Sequence, residues 1–323
     1  MIRGLRDPEL VLMIAGILAF LVLASLVAWI IKLRAKPAPV EPGQVPKESA
    51  VDNLIARIKA WWGMVIVFGI AIATGGYGSL VMFGIVSFLA LREAITLLPT
   101  RRADHRAMLW SFFIFLPLQY YLVAIQWFGM FALLIPVYAY LLLPSVQVLA
   151  GDTEDFLART SRLQWALMIC VFCVSHAPAL LMLKIPGFAG ENAKLLLFLV
   201  VVTEMSDVLQ YTCGKLFGRH KAVPKVSPNK TIEGYVGGGL LATALGAGLW
   251  WATPFTWWQA ALMALVIVVA GIAGGLVMSA VKRDRQVKDF GALLPGHGGV
   301  LDRIDSLCFS APLFFHLTRF YFA

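Results

Sequence analysis

The sequence predicts an all-α polytopic membrane protein of about ten transmembrane helices. Three observations carry that expectation. Of 323 residues, 60% are hydrophobic and 14% are charged, whereas a soluble domain carries about a quarter charged residues; the mean hydropathy is +0.80. The apolar residues fall in repeated runs of about twenty, the length that crosses a bilayer as a helix. These runs are continuous rather than alternating. Backbone groups in lipid must be paired within the protein, so continuous runs select helices over a closed barrel. A water-soluble fold is excluded, because a chain of this length cannot hide so much apolar surface.

The first span runs from Leu10 to Ile31, too long for a signal-peptide core and without a small-x-small cleavage site. Lys32, Arg34 and Lys36 follow it, and then Pro37, Pro39, Pro42 and Pro46 make an extended linker. Ser49 and Asp52 have capping-box spacing, and Val51, Leu54, Ile55 and Ile58 recur at helical intervals opposite Arg57 and Lys59. That pattern reads as an amphipathic helix on the membrane surface, with a partner-binding helix as the other reading. It leads into Trp61 and Trp62 at headgroup level.

From Trp61 to Leu98 the chain is apolar except at Gly75-Gly76-Tyr77-Gly78, which separates two spans. Further spans are expected at Met108–Ala124, Trp127–Leu149, Leu163–Leu183, Ala193–Cys213, Tyr235–Ala252, Trp258–Ser279 and Ser306–Phe322. Cys170, Cys173, Cys213 and Cys308 lie in or beside these segments and read as small packing residues rather than a disulfide framework. Gly237, Gly238, Gly239, Gly246 and Gly248 in one span, and Gly271, Gly274 and Gly275 in the next, read as sites of close helix approach.

Ten spans put the basic loops 32–60, 99–107, 150–162, 214–234 and 280–305 on one side. The positive-inside rule makes that side cytoplasmic. The net charge of +9 is therefore read as topology and attraction to anionic membrane lipids, with no nucleic-acid partner.

Two cytoplasmic segments hold polar residues that a membrane protein does not keep without cause. In the first, Glu204 and Asp207 lie three apart on one helix face, followed by Gln210-Tyr211, Lys215, Arg219 and Ser227-Pro228-Asn229-Lys230-Thr231-Ile232-Glu233-Gly234. Carboxylates within a span are costly and usually functional; the plainer reading is an ion pair with Lys215 or Arg219. The second segment is denser. It runs Ser279, Lys282-Arg283, Lys288-Asp289, Pro295-Gly296-His297-Gly298-Gly299 and Asp302-Arg303-Ile304-Asp305. Asp302 and Asp305, three apart, can share a divalent cation through hard oxygen donors. Lys282, Arg283, Lys288 and Arg303 are donors of the kind that hold phosphates. The glycine-rich loop lets backbone N–H groups approach an anion. Together these features point to metal-assisted phosphoryl or nucleotidyl transfer. A transporter would instead spread ionisable groups through mid-membrane.

The stretch Ser279–Asp305, with Lys-Arg, Lys-Asp, His-Gly-Gly and Asp-Arg-x-Asp in order, resembles the signature of the phosphatidate cytidylyltransferase (CDP-diacylglycerol synthase) family. Ser227-Pro228-x-Lys230-Thr231-x-Glu233-Gly234 and Asp207 ahead of Gln210-Tyr211 are similar to it as well. The likeness covers residues 200–310 well and the earlier spans only in hydropathy.

The resemblance implies an enzyme that transfers CMP from CTP to phosphatidic acid, giving CDP-diacylglycerol and pyrophosphate. It implies a divalent cation, Mg²⁺, on Asp302 and Asp305, with Asp207 and Asp289 as further ligands. Lys282, Lys288, Arg283 and Arg303 would hold phosphates, and Ser227, Lys230 and Thr231 would contribute from the other loop. His297 is either a phosphate donor or a loop-shaping residue. The resemblance also suggests a homodimer in the bacterial inner membrane. The expected organisation is residues 1–60 as transmembrane helix, linker and interfacial helix, 61–192 as an N-terminal bundle, and 193–323 as a catalytic region with a polar cavity facing the cytoplasm.

The chain departs from the family at two places: the Ala-Tyr usual after the first aspartate is Gln210-Tyr211 here, and the second departure precedes the signature serine. Where many members have Gly-Asp-Leu and then Glu before the signature serine, it has Gly274-Gly275-Leu276 and Met278-Ser279. Glu204, one turn before Asp207, is the candidate to supply the missing oxygen ligand. The alternatives are transfer to another lipid phosphate, or a non-catalytic paralogue that binds lipid phosphate or nucleotide.

Overall fold

The computed structural model describes residues 7–34, 50–293 and 298–323. The proline-rich linker, Ser49 and His297 lie outside the described residues. In chain order the helices are α1 (Pro8–Arg34), α2 (Ala50–Ala73), α3 (Gly75–Thr96), α4 (Arg102–Ala124), α5 (Phe128–Val148), α6 (Phe156–Met182), α7 (Asn192–Phe217), α8 (Ile232–Gly248), α9 (Trp257–Asp284) and α10 (Asp305–Phe322). Among the described residues, eight are long and apolar enough to cross a bilayer, and α8 and α10 fill the two remaining expected positions. The chain is an all-α integral membrane protein.

Local chemistry explains where the helices stop. The expected surface helix and the first half of the 61–98 segment form the single helix α2. It ends at Thr74, whose hydroxyl bonds back to the Ile70 carbonyl at 3.0 Å, and at Gly75, whose φ of +85° suits glycine alone. The break is narrower than the sequence suggested, because Gly76, Tyr77 and Gly78 already lie in the first turn of α3. Helices α4, α5 and α6 each contain a π-helical stretch, at Ser111–Phe115, Leu134–Ala139 and Met168–Cys173. Pro117 follows the first and Pro136 sits in the second. A proline removes an intrahelical donor, and a wide turn absorbs the gap.

One large apolar core runs through α3 to α10. Helix α1 stands apart from it, packing Leu10 and Met13 on Leu197 and Ala252. Helices α7 to α10 are drawn close by glycine. A Cβ on Gly238 would overlap the backbone of Gln210, and one on Gly274 would lie 2.7 Å from the Asp305 carbonyl oxygen.

The two ends of the bundle differ in the way the loop charges predict. At one end Lys194 on α7 reaches Glu9 at 2.5 Å, Glu191 at 2.7 Å and Asp7 at 3.1 Å, tying the start of α1 to the α6–α7 loop. Phe322 meets Phe255 edge-on, with ring centroids 4.7 Å apart, at that same end. At the other, basic end, Arg159 pairs with Asp104 at 3.2 Å, and Gln147 and Thr160 complete a buried network between the 99–107 and 150–162 loops.

Two elements at the basic end depart from expectation. Residues 221–231 form an antiparallel hairpin of β1 (Lys221–Val223) and β2 (Ser227–Thr231), with Lys221 opposite Thr231 and Val223 opposite Ser227. The Ser-Pro-Asn-Lys-Thr strand has none of the alternating β-branched or aromatic pattern that announces one. Helix α9 also continues to Asp284, so Lys282 and Arg283 belong to its last turn rather than to a loop. Basic side chains there oppose the helix dipole favourably.

Candidate active site

The signature segment closes the basic end of α9 and α10, and Asp302 organises it. This carboxylate is 5% exposed. Its Oδ1 accepts from the Lys282 ammonium at 2.8 Å, and its Oδ2 accepts from the N–H groups of Phe290 at 2.7 Å and Gly299 at 3.0 Å. Gly298, at φ +81°, fits between Asp302 and Asp289, where a Cβ would come within 2.8 Å of the Asp302 Oδ2. The Gly299 N–H is therefore already engaged by the protein's own carboxylate, and not free for an outside anion as the sequence suggested.

Asp305 lies one turn further, at the start of α10, in different surroundings. Its Oδ1 accepts from the Ser306 N–H at 2.7 Å, while the Ser306 hydroxyl donates to Asp207 Oδ2 at 2.9 Å. Ser306 thus links the α7 and α10 carboxylates. Asp305 lies in the field of Asp207, Lys282 and Arg303, and Glu204 in that of Asp207, Arg303 and Asp305. The Lys230 ammonium is 3.8 Å from Asp207 Oδ1 and stands over the Tyr235 ring. The Arg303 Nε is buried and has no hydrogen-bond partner among the described residues, in the field of Glu204 and Asp305. The plainer reading, an ion pair with Lys215 or Arg219, is not formed among the described residues: Lys215 lies over the Tyr211 ring, and the Arg219 N–H donates to Glu233.

The remaining sequence candidates are less gathered. Lys288 and Asp289 are exposed and make no ion pair among the described residues. Arg283 donates through Nε to the Val226 carbonyl at 3.3 Å, holding the hairpin against α9. Thr231 is buried, and its hydroxyl caps α8 by accepting the Gly234 N–H at 3.2 Å. Ser227 begins β2 opposite Val223. Position 275 faces this centre, since a Cβ there would lie 3.7 Å from the Ser306 hydroxyl.

Sequence reasoning missed two participants. Ser306 looked like the polar start of a span. Glu93, on α3, accepts the N–H groups of Val300 and Leu301 through its two oxygens, each at 2.9 Å. An acidic residue alone in the last turns of an apolar helix was the available signal.

Among the described residues, the group of three carboxylates that converges within 4.8 Å is Asp7, Glu9 and Glu191 at the opposite end. Lys194 is already seated among them. Glu204, Asp207 and Asp305 stand further apart, with the hydroxyl of Ser306 between two of them.

Residues 55–321 match the Cytidylyltransferase family. The chain belongs to that family. Membership makes this integral membrane protein an enzyme of the nucleotidyltransferase class. The chain is similar to Uncharacterized protein YnbB of Escherichia coli (strain K12), 45% identical over 267 residues, which cover 82% of this chain and 87% of that one. It is also similar to the Phosphatidate cytidylyltransferase of Mycobacterium leprae, 46% identical over 128 residues, or 38% of this chain and 40% of the relative. The Phosphatidate cytidylyltransferase of Staphylococcus haemolyticus is 40% identical over 126 residues, 38% and 48% of the two chains. The chain therefore spans under half the length of the curated cytidylyltransferases it matches.

Proposed function

We propose that this family member is a CTP:phosphatidate cytidylyltransferase of the bacterial inner membrane, with its site facing the cytoplasm. The observation that carries the reading is the link through Ser306 between Asp207 and Asp305, ringed by Lys230, Lys282 and Arg303. Carboxylates and cations meeting at one end of a membrane bundle suit a water-soluble triphosphate and a lipid phosphate arriving from different phases.

In the reaction, a phosphate oxygen of phosphatidic acid forms a bond to the α-phosphorus of CTP, and the bond to the β-phosphate oxygen breaks. Pyrophosphate leaves with that electron pair, and CDP-diacylglycerol forms. The nucleophile is already ionised, so no strong base is needed, and catalysis rests on positioning and charge neutralisation. Arg303, whose Nε has no partner among the described residues, and Lys230 would hold phosphate oxygens. Lys282 is fixed by Asp302 and contributes charge from the end of α9.

The donor set suits a hard divalent cation such as Mg²⁺. Asp207 and Asp305 would hold it, with Glu204 supplying the oxygen that Gly275 lacks. Asp302, which already accepts three hydrogen bonds, would be a further ligand. When bound, the cation neutralises charge on the triphosphate.

A second reading, transfer to a different lipid phosphate, draws support from the short match to the curated enzymes, since 38% of this chain is shared with them.

The test is conversion of labelled CTP by the reconstituted protein with a panel of lipid phosphates, with and without Mg²⁺. Phosphatidic acid should give a CDP-lipid, and Asp305→Asn should lower the rate about 100-fold or more. Activity with another lipid phosphate only would select the second reading, and retained CTP binding without transfer would select the non-catalytic paralogue. Glu204→Gln should weaken the response to Mg²⁺; an unchanged Mg²⁺ dependence removes Glu204 from the cation site.

A further inference from the structure

Glu93 is one of two acidic residues between Trp61 and Gly151, the other being Asp104. It sits near the C-terminal end of α3, where the helix dipole disfavours a carboxylate. Nothing in its own helix is served by that placement. Its two oxygens instead accept the consecutive N–H groups of Val300 and Leu301, about two hundred residues away in sequence, at 2.9 Å each. The loop is shaped to the carboxylate. A Cβ on Gly291 would lie 2.6 Å from Glu93 Oε1, and one on Gly299 would overlap the same carboxylate. The next residue after this pair of N–H groups is Asp302, which collects Lys282, Phe290 and Gly299, and Arg303 and Asp305 follow at once.

We propose that Glu93 is a positioning residue for nucleotidyl transfer: by holding the Val300 and Leu301 N–H groups it sets the register in which Arg303 and Asp305 are presented to Asp207. The N-terminal bundle then acts on the chemistry through one side chain as well as supporting it. The proposal rests on the transfer activity described above, and its test includes a readout that does not.

In the full-length protein reconstituted in lipid, Glu93→Gln keeps the volume but offers one carbonyl oxygen for two N–H groups. Hydrogen exchange across 298–303 should quicken about tenfold, and kcat should fall about tenfold or more, with the KM for CTP changed less than twofold. Glu93→Asp, which keeps both acceptor oxygens, should recover part of kcat at the same melting temperature. Unchanged exchange in Glu93→Gln would overturn the proposal, as would a lower melting temperature with kcat per folded molecule intact. If Glu93→Gln does not fold, Glu93→Asp with wild-type kcat and faster loop exchange would overturn it. A wild-type protein without transfer activity would overturn the reaction and, with it, the catalytic part of the proposal, while exchange would still report whether Glu93 holds the loop.

Discussion

Gly274 and Gly275 are sequence neighbours on α9 with opposite surroundings. At Gly274 an added methyl would meet the Asp305 carbonyl oxygen at 2.7 Å and Phe309 at 3.0 Å, atoms that cannot retreat without parting α9 from α10. At Gly275 it would make ordinary contact with the Ser306 hydroxyl at 3.7 Å. Gly274→Ala should therefore destabilise by about 1–3 kcal/mol, the usual range for overpacking, and Gly275→Ala should be nearly neutral in the same detergent melt. Equal losses at both positions would contradict the packing described. Residue type singled out this candidate site, because Asp207, Asp302 and Asp305 are expensive groups in an apolar chain. It did not reveal that Asp302 is occupied by the loop while Asp305 faces Asp207, since both carry the same side chain at the start of the same segment.

At the scale of the element, the β1–β2 hairpin is held at its base by Glu233, in the first turn of α8 ahead of the apolar stretch that begins at Tyr235. Its carboxylate accepts the N–H groups of Arg219 and His220 and meets the His220 ring at 2.5 Å. That ring hydrogen bond is the main cause holding the Glu233 carboxyl at about 2, below its usual 4.5. A depressed carboxylate contributes stability that is fully present above its unfolded value and is lost as pH falls toward its folded one. The hairpin should loosen between about pH 4.5 and 2, seen as faster hydrogen exchange across 219–231 after correction for the intrinsic rate. Glu233→Gln should loosen it already at neutral pH and flatten that dependence. The hairpin was not legible in sequence because Ser-Pro-Asn-Lys-Thr pairs through its backbone, and its partner strand is three residues long. The membrane helices were legible because each needs only a run of apolar side chains of sufficient length.

Across the whole molecule, charge divides the bundle into two ends. Basic loops gather where Lys282, Asp302 and Asp305 lie, and the Lys194 cluster ties the start of α1 to the 184–192 loop at the other. If the basic end faces the cytoplasm, a cysteine at exposed Ala189 should react with a membrane-impermeant thiol reagent in intact spheroplasts. A cysteine at exposed Thr153 should react only after lysis. Three of the four native cysteines are buried, which keeps the background low. The reverse pattern would turn the site to the outside.

By itself the sequence determined the membrane class and the order of the helices, and it named the charged residues of the candidate site. Each of these follows from local quantities: apolar run length, the cost of a charge in lipid, and the spacing of carboxylates along one segment. Tertiary structure alone decided which carboxylate meets which partner. Ser306 meets Asp207 across ninety-eight intervening residues and joins it to Asp305, and Glu93 fixes Val300 and Leu301 from another helix. Such contacts depend on how helices approach one another, and glycines such as Gly238 and Gly274 set that approach through a close fit that no single segment encodes.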